Sequence, residues 1–136
     1  MTELTNREKE LLKAIHEVPR FPIARFELRS TKQRELLSFA LKHVYLTDPE
    51  ASMEQVKADS AALEHLSQEK LITLDYALAV TVKKDYDVYF ESELYKQFCE
   101  MVEEGKKKPG FLFDTPAIRR GVAKLTAKGQ LLAAAQ

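Results

Sequence analysis

Apolar positions along the chain change spacing from helical to alternating and back, and those changes mark the elements. Leu11, Leu12, Ile15 and Val18 recur at the steps of one helix face. Ahead of them, Thr5-Asn6-Arg7-Glu8 has capping-box spacing: the hydroxyl is placed to accept from the N3 amide, and the glutamate to reach back. Pro19 closes the pattern, so a first helix is predicted between these limits. The next stretch, "RFPIARFEL", reads as extended or irregular. Ser30-Thr31-Lys32-Gln33 is a second capping box. It precedes Leu36, Leu37, Phe39, Ala40, Leu41, Val44 and Tyr45, which cover so much of a helical circumference that a central, buried helix is predicted.

Asp48-Pro49 breaks the chain, and Ser52-Met53-Glu54-Gln55 is a third capping box. Met53, Val56, Ser60, Leu63 and Leu66 then form the buried stripe of a third helix. From Leu71 the period becomes two. Leu74, Tyr76, Leu78, Val80 and Val82 take one face of a strand, and Asp75, Ala77, Ala79 and Thr81 the other. A turn at Lys83-Lys84-Asp85 and a returning strand from Tyr86 to Phe90 complete a predicted hairpin. A fourth helix starts near Ser92 with the stripe Leu94, Phe98, Met101 and Val102, and the stretch from Gly105 to Gly110 ends it. "GFLFD" is short and apolar. After Pro116 a strand runs through Gly121 to Thr126, followed by a last helical turn or two in "AKGQLLAAAQ".

Composition adds limits. With 136 residues, 45% hydrophobic and 31% charged, residues 1–136 are expected to form one domain of an ordinary globular protein. No apolar run reaches the roughly 18 residues of a membrane span, so no membrane contact is expected. The polar start "MTELTNREKE" has no apolar core of a secretory signal, and the single Cys99 forms no internal disulfide; both point to a cytoplasmic setting. The formal net charge of zero hides segregation. Residues 19–45 carry 6 basic and 2 acidic groups, residues 46–105 carry 5 and 14, and residues 106–136 carry 7 and 1. Such asymmetry suits anion binding by the basic segments, or pairing of opposite patches.

Three helices followed by a hairpin resemble the winged-helix form of the helix-turn-helix superfamily. Two stretches carry the likeness. "MEQVKADSAALEHLSQEKLITL" places Leu-x-x-Leu on a helix that gives way to a strand at Leu-Ile. "VAKLTAKGQLL" resembles the last wing strand of such domains running into a C-terminal helix. The expected fold class is therefore α+β: a winged-helix-like three-helix core with a β-hairpin, one additional helix and a C-terminal helical tail. Three features depart from the pattern, the third being the acidic charge of the third helix's outward face. Lys70 stands where these domains frequently have Gly, and the helix from Ser92 to Glu104 lies between the hairpin and the "KLTAKG" strand.

The resemblance implies a DNA-binding or transcription-associated module. With Val56, Leu63 and Leu66 inward, the outward face of the third helix holds Glu54, Gln55, Lys57, Ala58, Asp59, Ala61, Glu64, His65 and Gln68. Gln55 and Lys57 are the candidates for base contacts. Glu54, Asp59 and Glu64 oppose them, because carboxylates beside phosphates repel. Phosphate contacts are expected from Arg119, Arg120, Lys124 and Lys128 around the last strand, and from Arg29 and Lys32 in the first basic segment. The rival reading of those residues is a solvated face that partners the acidic middle of the chain. Duplex DNA is thus one expected partner. A second copy of the chain, or another protein, is the alternative, in which the module keeps the shape without the DNA role.

No catalytic signature is present, and neither a cofactor nor an enzymatic activity is expected. The four glycines form no phosphate-binding loop. Cys99, His16, His43 and His65 lack the spacing of zinc ligands. His43 and Cys99 read as packed residues of apolar helices, and Glu100, Glu103 and Glu104 as a solvated helix edge. Tyr76, Tyr86, Tyr89 and Phe90 read as core and cross-strand pairs, with a ligand cleft as the rarer alternative.

Overall fold

The computed structural model describes residues 3–18, 20–30, 37–77, 81–108 and 113–135. Among these residues, four strands form one antiparallel sheet in the order β2-β1-β4-β3, with helices on both faces.

The first helix, α1 (Asn6–Glu17), begins as its sequence dictates. Thr5 Oγ1 accepts from the Glu8 amide at 3.1 Å, and Glu8 Oε1 accepts from the Thr5 amide at 2.7 Å. Strand β1 (Phe21–Arg29) follows and lies in the middle of the sheet. Its register with β2 starts at Ala24, so Pro22, which has no amide to donate, lies beyond the end of that ladder.

The predicted central helix is absent. Residues Leu37–Val44 form strand β2, antiparallel to β1, and residues 31–36, with most of the second capping box, lie outside the described residues. An apolar stretch interrupted only by Ser38, Lys42 and His43 has no clear period of its own, so pairing with β1 decides its conformation. The β1–β2 register shifts between Ala24 and Phe26 and again between Phe26 and Glu27, and His43 is left-handed at φ 52°. Irregular pairing of this kind bends a strand and re-aims a side chain.

The third helix of the sequence pattern is α2 (Met53–Gln68), capped by Ser52, whose Oγ accepts from the Gln55 amide. Its end explains the first departure from the winged-helix pattern. The Lys70 amide donates to Ser67 O and the Leu71 amide to Leu66 O, both at 3.0 Å, with Lys70 left-handed at φ 62°. That is a Schellman closure, which favours glycine at the position lysine occupies.

Strand β3 (Ile72–Asp75) pairs with β4 and not with a returning strand. The predicted hairpin partner from Tyr86 to Phe90 is instead a 3-10 turn (Lys83–Tyr86) leading into α3 (Asp87–Glu91). Tyr86 and Tyr89 are both fully buried. Residues three apart share a helix face but point to opposite sides of a strand, so burying both on one layer requires the helix. Residues 78–80, also assigned to the hairpin, lie outside the described residues.

Helix α4 (Glu93–Lys106) starts at Ser92 as expected and buries Leu94, Phe98 and Val102. Strand β4 (Thr115–Leu125) pairs with β1 over its whole length in β1 and with β3 at its C-terminal end. Helix α5 (Ala127–Ala134) follows at once. Here the "KLTAKG" stretch acquires a physical role. Thr126 caps α5, accepting from the Gly129 amide, and its own amide donates to Leu71 O. A Cβ on Gly129 would stand 2.0 Å from that same Leu71 oxygen. Only glycine lets the first turn of α5 sit on the α2–β3 junction.

Alternation along β1 sorts the core into two layers. Phe21 and Ile23 join Leu11, Leu12, Leu63, Leu66 and Ala123 under α1, α2 and α5. Ala24 and Phe26 face the other way, against Tyr86, Tyr89, Leu94 and Phe98 of the α3–α4 layer. The second layer is held by hydroxyls as well as by apolar contact. Tyr89 Oη donates to Pro22 O at 2.8 Å, and Tyr86 Oη donates to Gly121 O. Among the described residues no helix is long and apolar enough to cross a membrane.

Candidate anion-binding site

Continuing along β1 past Phe21 and Ile23, the same face of the strand carries Arg25, Glu27 and Arg29 at two-residue steps. On β4, Arg119 lies directly opposite Arg25, and Ala117 directly opposite Glu27. Three guanidinium groups therefore converge on one carboxylate, which is 1% exposed. Glu27 Oε1 accepts from Arg29 Nη2 at 2.6 Å and from Arg29 Nε at 3.1 Å. Glu27 Oε2 stands 3.5 Å from Arg119 Nε and 3.9 Å from Arg25 Nε, and accepts no hydrogen bond among the described residues. Glu27 is consumed internally, while the side chains of Arg29 and Arg119 each remain 43% exposed.

The electrostatics are unusual for a sheet. Like charges directly opposite on neighbouring strands destabilise the pair, and Arg25 and Arg119 are such a pair. The buried carboxylate between them offsets that repulsion and balances one of the three positive charges.

A second set of side chains walls the cluster. Tyr76, just after β3, lies against β4 at Gly121, where an added Cβ would meet its ring at 2.5 Å and the Asp75 carbonyl at 2.8 Å. The Arg25 guanidinium carbon stacks on the Tyr76 ring, 3.9 Å from its centre. The Tyr76 hydroxyl is 2.7 Å from His43 Nδ1, and His43 Nε2 is 2.7 Å from Glu64 Oε2. Burial pushes the Tyr76 hydroxyl well above the usual tyrosine range. Burial also lowers the His43 pKa, although Glu64 works in the opposite direction. A neutral His43 that donates to Glu64 from Nε2 accepts the Tyr76 proton bond at Nδ1.

The residues singled out by sequence are thus divided. Arg29 and Arg119 come together, joined by Arg25. Arg120 alternates to the opposite face of β4, where its guanidinium lies 5.9 Å from the Tyr86 ring centre. Lys124 shares that opposite face, paired in register with Thr73, and is exposed. Lys128, on α5, donates from Nζ to Glu69 O at the end of α2 at 3.2 Å. Lys32 lies outside the described residues. On α2, Lys57 is exposed, while the Gln55 amide group donates to Asp59 Oδ1 at 3.2 Å.

Of the three carboxylates expected on the outward face of α2, Glu54 and Glu64 are exposed and Asp59 is not. Asp59 is 3% exposed and faces α1, where Arg7 holds it from Nε at 2.7 Å and Nη2 at 2.9 Å. Glu64 is engaged with His43. His43 itself belongs to a strand, not to an apolar helix. The Arg7–Asp59 pair also lines a depression of about 370 Å³ with Tyr45, Ser52 and Gln55, but there the two charges neutralise each other.

Sequence reasoning missed Glu27, Tyr76 and Gly121 as members of one site. The signal was the Arg-x-Glu-x-Arg alternation, which places three charges on one face once "RFPIARFEL" is read as a strand. Among the described residues, no three His, Cys, Asp or Glu side chains gather as a metal site. Cys99 is a half-buried free thiol. No protein-family model matches the chain, and neither does any curated protein or solved structure.

Proposed function

We propose that this chain is a non-enzymatic nucleic-acid-binding module, transcription-associated in role, that grips the phosphates of duplex DNA through Arg25, Arg29 and Arg119. The observation that carries this reading is the pairing of Arg25 with Arg119 across β1 and β4 around the buried Glu27. Opposed arginines cost fold stability, and such a cost is repaid where the charge does work on a ligand. Planar guanidinium groups suit phosphate oxygens, which accept two parallel hydrogen bonds.

The winged-helix resemblance supports the same role through α2, the strand behind it and the Thr126–Gly129 junction, although β2 stands where a second helix is implied. Base contacts from Gln55 and Lys57 are part of this proposal. With Asp59 turned inward, the repulsion expected from α2 is smaller than its sequence suggests.

The test is fluorescence anisotropy with a labelled mixed-sequence duplex between about 50 and 200 mM salt. Affinity falls steeply with salt, and the double variant Arg29→Ala/Arg119→Ala flattens the logarithmic slope by about 0.9 for each phosphate it no longer neutralises. Full retention of affinity by that variant contradicts the proposal. A protein-interaction role without DNA is favoured by one observation: Phe90 and Met101 on the α3–α4 layer are 49% and 48% exposed. Sedimentation of the purified chain, showing a concentration-dependent dimer and no duplex binding, selects that reading.

A further inference from the structure

Glu27 meets three guanidinium groups while almost wholly buried, and the three contacts are not alike. Oε1 takes Arg29 along one edge, from Nε at 3.1 Å and from Nη2 at 2.6 Å. That contact uses two of the five N–H groups of arginine, and among the described residues the other three reach no acceptor. Oε2 lies 3.5 Å from Arg119 Nε, and Arg119 Nη1 is 3.5 Å from the Tyr76 carbonyl. Arg119 Nη2 has no acceptor among the described residues. Arg25, ion-paired with the same carboxylate at 3.9 Å and only 24% exposed, adds its charge behind the other two.

Strand register separates the two exposed arginines. Ala117 lies directly opposite Glu27, with Arg119 two residues along β4 and Arg29 two residues along β1 on the same face. It is half-buried, a single methyl group where a longer side chain would stand between the two guanidinium groups.

A carboxylate beside arginines acts on a bound phosphate in two opposite ways. It cancels charge, which weakens the attraction. It also immobilises side chains rich in rotamers, whose ordering otherwise counts against binding. Here the burial of Glu27 separates the two effects in space. The carboxylate occupies one edge of Arg29, and the side chains of Arg29 and Arg119 stay 43% exposed beyond it. Without the carboxylate, the opposed charges of Arg25 and Arg119 would drive Arg119 away from the strand pair.

We propose that Glu27 is the positioning residue of the anion site: it holds Arg29 and Arg119 on either side of Ala117 by part of their N–H groups, so that the remaining ones take phosphate oxygens. This inference rests on the nucleic-acid reading of the arginine cluster. It adds that a buried carboxylate, out of contact with the ligand, strengthens the binding of an anion.

The experiment measures duplex binding as a function of salt for the full chain, for Glu27→Gln and for Arg29→Lys. Glu27→Gln separates the two effects by sign. Its amide oxygen still accepts from one arginine, but its NH2 group faces the other, which is released. The logarithmic salt slope becomes shallower by about 0.9, one phosphate fewer neutralised. Affinity at about 100 mM salt falls roughly eightfold, which is that slope change carried down from 1 M. A counterion that merely cancels charge predicts the reverse, since the variant carries one more net positive charge. Equal or tighter binding by Glu27→Gln therefore overturns the proposal and leaves the arginine site standing. Weaker binding with the wild-type slope reports only a loss of folded protein and overturns it as well. If Glu27→Gln does not fold, Arg29→Lys decides: lysine keeps the charge but has no second planar edge to offer once it pairs with Glu27. Wild-type affinity and slope in Arg29→Lys overturn the proposal. Absence of duplex binding by the unaltered chain overturns the nucleic-acid reading and this inference with it.

Discussion

Arg7 grips Asp59 with two hydrogen bonds across the α1–α2 interface, 2.7 and 2.9 Å long, joining a half-exposed guanidinium to a buried carboxylate. Burying Asp59 without its partner strands a charge. Arg7→Ala is therefore expected to lower unfolding stability by roughly 3 kcal/mol in urea titrations. The double variant Arg7→Ala/Asp59→Ala loses less than Arg7→Ala alone, because no charge is left behind. Equal losses would show that the pair does nothing beyond packing.

Gly129 is held in place by backbone on its open side. Gly129→Ala pushes a methyl group into the Leu71 carbonyl, which cannot swing aside as a side chain could. A loss of about 3 kcal/mol or more is expected, with α5 released first. Hydrogen exchange reads this directly: amides of α5 lose protection in the variant while those of α4 keep theirs.

Lys70 presents the reverse case. A lysine in the left-handed region at a helix end carries strain that glycine does not. Lys70→Gly is expected to stabilise the chain by roughly 0.5–1 kcal/mol, measured as a higher urea midpoint with an unchanged slope.

Two histidines act on stability in opposite pH directions. The hydrogen bond with buried Glu8 raises the His65 pKa above the ordinary 6.5. Its native state holds the proton more tightly than the unfolded chain. That contribution is complete below 6.5 and disappears as pH rises through the raised value. His43 is kept neutral chiefly by burial, so its folded pKa lies below 6.5. Its contribution is complete above 6.5 and is lost as pH falls towards the lowered value. Urea midpoints measured from about pH 5 to 8 should fall at both ends. His65→Gln removes the alkaline fall and His43→Gln the acidic one; an unchanged profile in either variant contradicts the assignment.

How far the sequence can be read depends on whether local signals or distant partners decide each segment. The caps at Thr5, Ser52 and Ser92 are short-range chemistry, and all three helices start where those residues place them. The stripes of α1 and α4 bury the residues expected, apart from Val18 and Met101, which are exposed. The stretch from Leu37 to Val44 misleads because its conformation is set by β1, an earlier segment whose own pattern does not choose between extended and irregular. The tyrosine pair 86 and 89 misleads because aromatic residues favour strands in general, while here their hydroxyls reach Gly121 and Pro22 from one helical face. The arginine site inherits the first difficulty. Charge alone marks Arg119 and Arg29 as phosphate candidates, but Glu27 and Tyr76 enter the site only through strand register, and register cannot be read without knowing which strands pair.

The two central strands of the sheet come from distant parts of the chain: Phe21 lies beside Ala123, and Arg29 beside Thr115. A ribosome that has delivered α1, β1, β2 and α2 has made helices and a hairpin but no sheet interior, since β1 still lacks its principal neighbour. Loop closure over so long a stretch is slow relative to helix formation, so the nascent chain passes through a stage with β1 open along one edge. Synthesis has to reach β4 before that edge is covered. Premature termination ahead of Thr115 would thus remove the middle of the sheet and not merely trim its border, leaving a product whose exposed strand invites aggregation.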